Sequence, residues 1–155
     1  MNLLEAQARV QRWHVNQGLP SNRTFIVLHD QERAKLESLA GDLGAVYEKY
    51  KDWFNCECMK RALLGLGEMI ESVEAMAKYE YSVDSRVEIA DALGDRLFVL
   101  LGDSVTFDIP LDEVLEEIML SNETKIITQT DVRGKNHSGY RDPNLHPIIQ
   151  GYDPL

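Results

Sequence analysis

The chain contains only two cysteines, Cys56 and Cys58. Positions two apart on a helix do not face each other, so no bridge between them is expected. They read as free thiols of a reducing compartment. A C-x-C pair is also half of a metal site, but no second cluster of cysteine or histidine stands near it. Histidine is scarce as well, at four residues. His29-Asp30 has the form used by histidine-built metal sites, but His14, His137 and His146 are all that remain, and the last two lie in the C-terminal tail. Long apolar runs are missing: no stretch of about 18 such residues exists, so no membrane-spanning helix is expected. The opening residues Met1 to Ala6 lack a basic segment followed by an apolar run, so no signal peptide is expected, and a cytoplasmic location follows. Positive charge is short, with 16 Lys and Arg against 26 Asp and Glu and a net charge of −10. That balance argues against a uniform basic face for a nucleic-acid polymer and against an anionic membrane. An anionic ligand on such a chain needs cations to bring it in. Glycine and proline are at ordinary frequency, which excludes collagen-like and low-complexity architectures.

What is present suffices for one ordinary domain: 155 residues, 44% of them apolar. Residues 3–17 predict a first helix, with Leu3, Ala6, Val10 and Trp13 at helical spacing. Gly18 to Asn22 end it. Thr24 to Leu28 is a short apolar run that fits either a strand or an extended segment packed on the core. Asp30 is the expected N-cap of a second helix reaching about Phe54, with Leu36, Leu39, Leu43, Val46 and Tyr47 on one face. A third helix is expected over Met59–Tyr79 and a fourth over Ser85–Phe107. The fourth is apolar nearly all round after Leu97, the pattern of a buried helix. Pro110 opens a fifth helix that turns Leu111, Val114, Leu115, Ile118 and Met119 inward. Beyond Lys125 the helical pattern fades, and the tail reads as ordered loop with short extended pieces. The expected fold is an all-α bundle of about four to five helices in a single domain, residues 1–155, with core motifs at 60–125 and a tail at 126–155.

The chemistry sits in two acidic rows. Glu68 and Glu71 are three apart on the third helix. Glu88, Asp91 and Asp95 form a stripe on the fourth that Val99 and Gly102 continue. Single acidic pairs are common on solvated helices. Here, however, the stripe runs from acid into apolar surface, and only Arg96 could partner it locally. Unpaired carboxylates leading into a buried face are costly unless something positive lies there, and oxygen ligands suit a hard divalent cation.

Glu68-x-x-Glu71, sixteen intervening residues and then Glu88-x-x-Asp91 resemble the signature of the MazG-type all-α NTP pyrophosphohydrolases. That superfamily includes phosphoribosyl-ATP pyrophosphohydrolases and dimeric dUTPases. The flanking text extends the resemblance through Asp91-Ala92-Leu93-Gly94-Asp95, Phe107 to Val114 and Ser121 to Lys125. Gly134-Lys135, Gly139 to Pro143 and, near the start, Gln17 to Pro20 are similar to a subgroup often found in phages, for which the location is the host cytoplasm. The likeness is strongest over residues 60–145.

The resemblance implies an Mg²⁺-dependent reaction, with Mn²⁺ able to substitute, that converts a (deoxy)nucleoside triphosphate to monophosphate and pyrophosphate. It implies Glu68, Glu71, Glu88 and Asp91 as metal ligands and catalytic residues, with Asp95 accessory. Asn122 and Lys125 are implied to contact sugar or phosphate, and Lys135, Tyr140 and Arg141 to close over the substrate. A homo-oligomer, dimer or tetramer, is implied as well. Two departures stand out: Gly67 where many relatives have a second acid, and Glu123 where methionine is common. Both bear on substrate preference, for which a deoxypurine such as dGTP or dATP is the expectation. Trp13 and His14 suit stacking on a base, and Trp13 suits core packing equally. Phosphoribosyl-ATP hydrolysis and a non-catalytic oligomerising or binding module are the alternatives.

Overall fold

The computed structural model describes residues 2–20, 27–53 and 55–152. Among them all regular structure is helical: α1 Leu3–Asn16, α2 Asp30–Tyr50, α3 Glu57–Ala77, α4 Val83–Thr106, α5 Leu111–Asn122 and α6 His146–Gly151. The all-α expectation holds. The chain divides into two compact units: α2, α3 and α4 form one, and α1, α5, α6 and the tail form the other.

In the first unit α3 packs between α2 and α4. Its buried core is small: Ala40, Leu63, Val73, Ala77, Ala92 and Val99. Small side chains at these positions let helix axes approach closely. Polar clamps fix direction and register. The Arg33 guanidinium, near the start of α2, donates to the Ala77 carbonyl at the end of α3, so the two helices run antiparallel. Arg61, near the start of α3, donates through Nε to Asp103 near the end of α4 at 2.6 Å and through Nη2 to the Val99 carbonyl. Gly102 is what admits this guanidinium, since a Cβ there would meet Arg61 Nη2 at 2.6 Å.

In the second unit Arg9 on α1 grips α5, donating to Glu116 at 2.5 Å and to both oxygens of Glu123 at 2.6 and 2.9 Å. Gln17 clamps the chain beyond α5: its amide donates to the Lys125 carbonyl at 3.2 Å and accepts from the Ile127 N–H at 3.0 Å. The tail is ordered by its own polar contacts. Asp131 accepts backbone N–H bonds from Arg133, Gly134 and Asn136 at 3.2, 3.0 and 2.7 Å. Those bonds pull its carboxyl below the ordinary range, Asn136 most of all. Gly134 has φ +66, and a Cβ there would lie 3.0 Å from the Ile126 backbone, so only glycine closes this loop without strain.

Several sequence expectations change. The N-cap of α2 is His29, with Asp30 the first helical residue; the Glu32 carboxylate accepts the His29 N–H at 2.9 Å. Helix α2 ends at Tyr50 rather than at Phe54, which lies outside the described residues, as do Thr24 to Ile26 of the apolar run. Val27, at the end of that run, is exposed rather than packed on the core. The tail contains a short helix, α6, that the pattern did not predict. Its signal was Pro147 in a first helical turn, followed by two isoleucines. The apolar half of α4 is not enclosed within one chain: Val99 is buried, while Phe98 is 78% and Val105 81% exposed.

Candidate functional site

Helix α3 carries Glu68 on a half-buried face and Glu71 on an exposed one. Ser72, 2% exposed, returns its hydroxyl to the Glu68 carbonyl at 2.8 Å. That bond satisfies a hydroxyl which otherwise lacks a partner in the packed interior. On α4, Glu88, Asp91 and Asp95 are all exposed. With Arg61 facing Asp103, the antiparallel register brings Glu68 level with Asp95, about two turns along each helix.

The outcome is a group of three carboxylates, Glu68, Glu71 and Asp95, whose oxygens lie within 4.8 Å of one another. Glu68 Oε2 is buried without a hydrogen-bond partner among the described residues. Burial pushes the Glu68 carboxyl up from the ordinary range, and the charges of Glu71, Asp95 and Asp91 push it further. Arg96 forms no ion pair with any of these acids among the described residues. An orphaned buried carboxylate oxygen amid like charges is an uncompensated cost to the fold, and a divalent cation with oxygen ligands removes it. The donor set fits such an ion.

The predicted site residues are therefore brought together in part. Glu68, Glu71 and Asp95 meet, and Asp91 is near enough for its charge to act on Glu68. Glu88 is outside the group, about two turns before Asp95 on α4. Asp95, expected as an accessory residue, is the α4 member of the group. Gly67 presents its α-carbon toward α2, where a Cβ would touch the Tyr47 ring at 3.8 Å. Because Glu68 itself answers to α4, an acid at position 67 would point toward a different neighbour.

The other predicted residues lie in the second unit. Asn122 ends α5, and its carbonyl accepts the Lys125 N–H at 3.0 Å. The Lys125 ammonium is half-buried; burial first, then Lys135 and Arg133, lower its pKa from the ordinary value. Lys135 Nζ stands 5.1 Å from the centre of the Tyr140 ring, and the Tyr140 hydroxyl donates to Asp142 at 2.8 Å. Arg141 holds the tail on α5: its guanidinium donates to Glu117 at 2.7 Å, its N–H to Thr124 Oγ1 at 3.0 Å, and its carbonyl accepts from Ser121 Oγ at 2.7 Å. Sequence reasoning passed over Arg133, whose signal was its place beside Gly134-Lys135 in a chain poor in cations.

A family model described as phosphoribosyl-ATP pyrophosphohydrolase matches residues 46–122, about half of the chain. The chain belongs to the MazG-like all-α NTP pyrophosphohydrolase superfamily. The match covers α3 and α4 with all the acids above and ends at Asn122, the last residue of α5. Its members hydrolyse pyrophosphate bonds of nucleotides and are typically dependent on a divalent metal, which agrees with the carboxylate group between α3 and α4. No curated protein and no solved structure matches the chain. Among the described residues no helix is long and apolar enough to cross a membrane.

Proposed function

We propose that the chain hydrolyses a (deoxy)nucleoside triphosphate, with dGTP or dATP preferred, to the monophosphate and pyrophosphate in an Mg²⁺-dependent reaction. The observation that carries this reading is the group of Glu68, Glu71 and Asp95, with a buried, unpartnered Glu68 oxygen at its centre. Glu68, Glu71, Asp91 and Asp95 hold the metal, and Glu88 extends the acidic row toward the start of α4. A divalent cation held by these carboxylates would supply positive charge against the phosphates and lower the pKa of an attacking water. Mn²⁺ offers the same hard, oxygen-seeking chemistry.

Asn122 and Lys125 bind sugar or phosphate in this scheme, while Lys135, Tyr140 and Arg141 belong to a substrate-covering tail. Of these, Lys125 and Lys135 supply positive charge in a chain of net −10. Arg141 acts through position, because its guanidinium is committed to Glu117. Stepwise removal of the terminal phosphate by a glycine-rich phosphate loop does not suit this sequence. Gly134-Lys135 lacks the spaced glycine before it, and Asn136 stands where a hydroxyl residue is required.

A second reading, phosphoribosyl-ATP hydrolysis, is favoured by the description of the family that matches. A screen of the canonical ribo- and deoxyribonucleoside triphosphates together with phosphoribosyl-ATP, with Mg²⁺ or Mn²⁺ and released pyrophosphate as the readout, separates the two. Turnover confined to phosphoribosyl-ATP selects the second reading. Pyrophosphate from none of these substrates overturns both.

The exposed apolar face of α4, with Phe98, Leu101 and Val105, suits a homo-oligomer, dimer or tetramer, in a cytoplasmic setting. Light scattering tests the assembly. A mass near the 17.7 kDa of one chain contradicts it.

A further inference from the structure

In the unit of α1, α5 and α6, a cavity of about 360 Å³ is walled by Asp112, Glu113, Glu116 and Glu117 and repels anions. A second cavity, of about 220 Å³, has the opposite character; Val10, Trp13, Met119, Asn122, Glu123 and Lys125 line it. Its one carboxylate, Glu123, is paired with Arg9, which donates to both of its oxygens and also to Glu116. That ion pair holds the Glu123 carboxyl below the ordinary range. The Lys125 ammonium has no carboxylate partner among the described residues, and the charges facing it are those of Lys135 and Arg133. The Asn122 side-chain amide makes no hydrogen bond among the described residues, so both its donor and its acceptor are open.

The cavity is also built to hold its shape. The Lys125 carbonyl accepts from the Trp13 indole N–H at 3.4 Å and from the Gln17 amide at 3.2 Å. The indole is thereby fixed beside the base of the lysine. Arg133 and Lys135 are set in place by the loop that Asp131 closes. Lys125, Lys135 and Arg133 form no ion pair among the described residues, and a cluster of cations in a chain of net −10 suits an anionic ligand. Phosphate alone would not use an indole and the apolar side chains of Val10 and Met119. A nucleoside phosphate uses both halves.

We propose that this cavity binds a nucleoside monophosphate moiety, its base stacked on Trp13 and its phosphate held by Lys125, Arg133 and Lys135. The inference rests on the nucleotide reading above and deepens it by naming Trp13 as the base platform and Arg133 as a phosphate contact.

Calorimetric titration of the whole protein with dAMP and dGMP in EDTA tests this apart from catalysis, with inorganic phosphate and deoxyadenosine as controls. Wild type is expected to bind a nucleotide more tightly than either control. Trp13→Leu should weaken that binding about tenfold and Trp13→Phe far less, because a phenyl ring still stacks. Arg133→Ala, at an exposed position that carries no packing, should weaken it severalfold and reduce its salt dependence. Circular dichroism checks the fold of each variant; should Trp13→Leu unfold, Arg133→Ala still decides. Absence of nucleotide binding, phosphate binding as tight as nucleotide, or folded Trp13→Leu and Arg133→Ala variants that bind like wild type overturn the proposal. Triphosphate hydrolysis with unchanged KM in Trp13→Leu and Arg133→Ala removes this pocket and leaves the pyrophosphohydrolase reading standing. Nucleotide binding lost in the variants of a protein that hydrolyses no triphosphate removes the activity and leaves the pocket.

Discussion

Glu68 on α3 and Asp95 on α4 bring carboxylate oxygens within 4.8 Å of each other, with Glu71 as the third member of the group. Like charges at such a distance oppose folding unless one is protonated or a cation intervenes. The buried, unpartnered Glu68 oxygen marks the same spot independently of the charges.

The acids at its rim are expected to matter for turnover and little for structure. Glu71 and Asp91 are both exposed, so Glu71→Ala and Asp91→Ala should keep the helical circular dichroism signal. Groups that merely orient metal ligands cost about 10–100-fold when removed, so losing a carboxylate that holds the ion should cost more than about 100-fold. Steady-state pyrophosphate release checks this, and near-normal turnover in either variant contradicts the metal assignment.

Glu68 should weigh on the metal-free protein. Glu68→Gln removes one of the mutually repelling charges and keeps the shape, so the metal-free variant should melt higher than wild type, by about 2–4 °C if the relief is about 1 kcal/mol. Mg²⁺ or Mn²⁺ should raise the melting temperature of wild type and leave that of Glu68→Gln nearly unchanged. Differential scanning calorimetry in EDTA and with each ion decides. Equal metal-induced shifts in the two proteins count against the site.

The tail should loosen in acid. The Arg141 guanidinium, and after it the Asn144 N–H, hold the Glu117 carboxyl below its ordinary value of 4.5. The folded form therefore binds that proton more weakly than the unfolded chain does. The contribution is complete above about pH 4.5 and is lost as pH falls through the depressed value. Hydrogen exchange over residues 141–151 should show less protection at about pH 3.5 than at about pH 6, beyond the intrinsic change in exchange rate. Unchanged protection would mean that the ion pair does not hold the tail.

Helix periodicity and the acidic spacings were legible in the sequence because they are local properties: Glu68 and Glu71, or Asp91 and Asp95, share a face whatever lies opposite. What lies opposite was not legible. The register of α3 against α4 is set by Arg61 reaching Asp103 across a gap that only Gly102 leaves open, and an arginine so far in sequence from the Gly102-Asp103 pair announces no such contact. For that reason Asp95, and not Glu88, meets the α3 pair. Helix α6 was hidden by its length of six residues, too short for periodicity to register. The apolar half of α4 was read as enclosed because a hydrophobic pattern reports that cover is needed and not which chain provides it. The placement of Arg133 near Lys125 was not legible because it depends on a loop that Asp131 folds back on itself.

The most direct test of the account is the identity of the products. Purified protein is incubated with dGTP or dATP and Mg²⁺, and the reaction is resolved by anion-exchange chromatography with separate assays for pyrophosphate and orthophosphate. A carboxylate-held metal and a tail without a phosphate loop predict the deoxynucleoside monophosphate and intact pyrophosphate in equal amounts. A deoxynucleoside diphosphate with free orthophosphate would contradict the account.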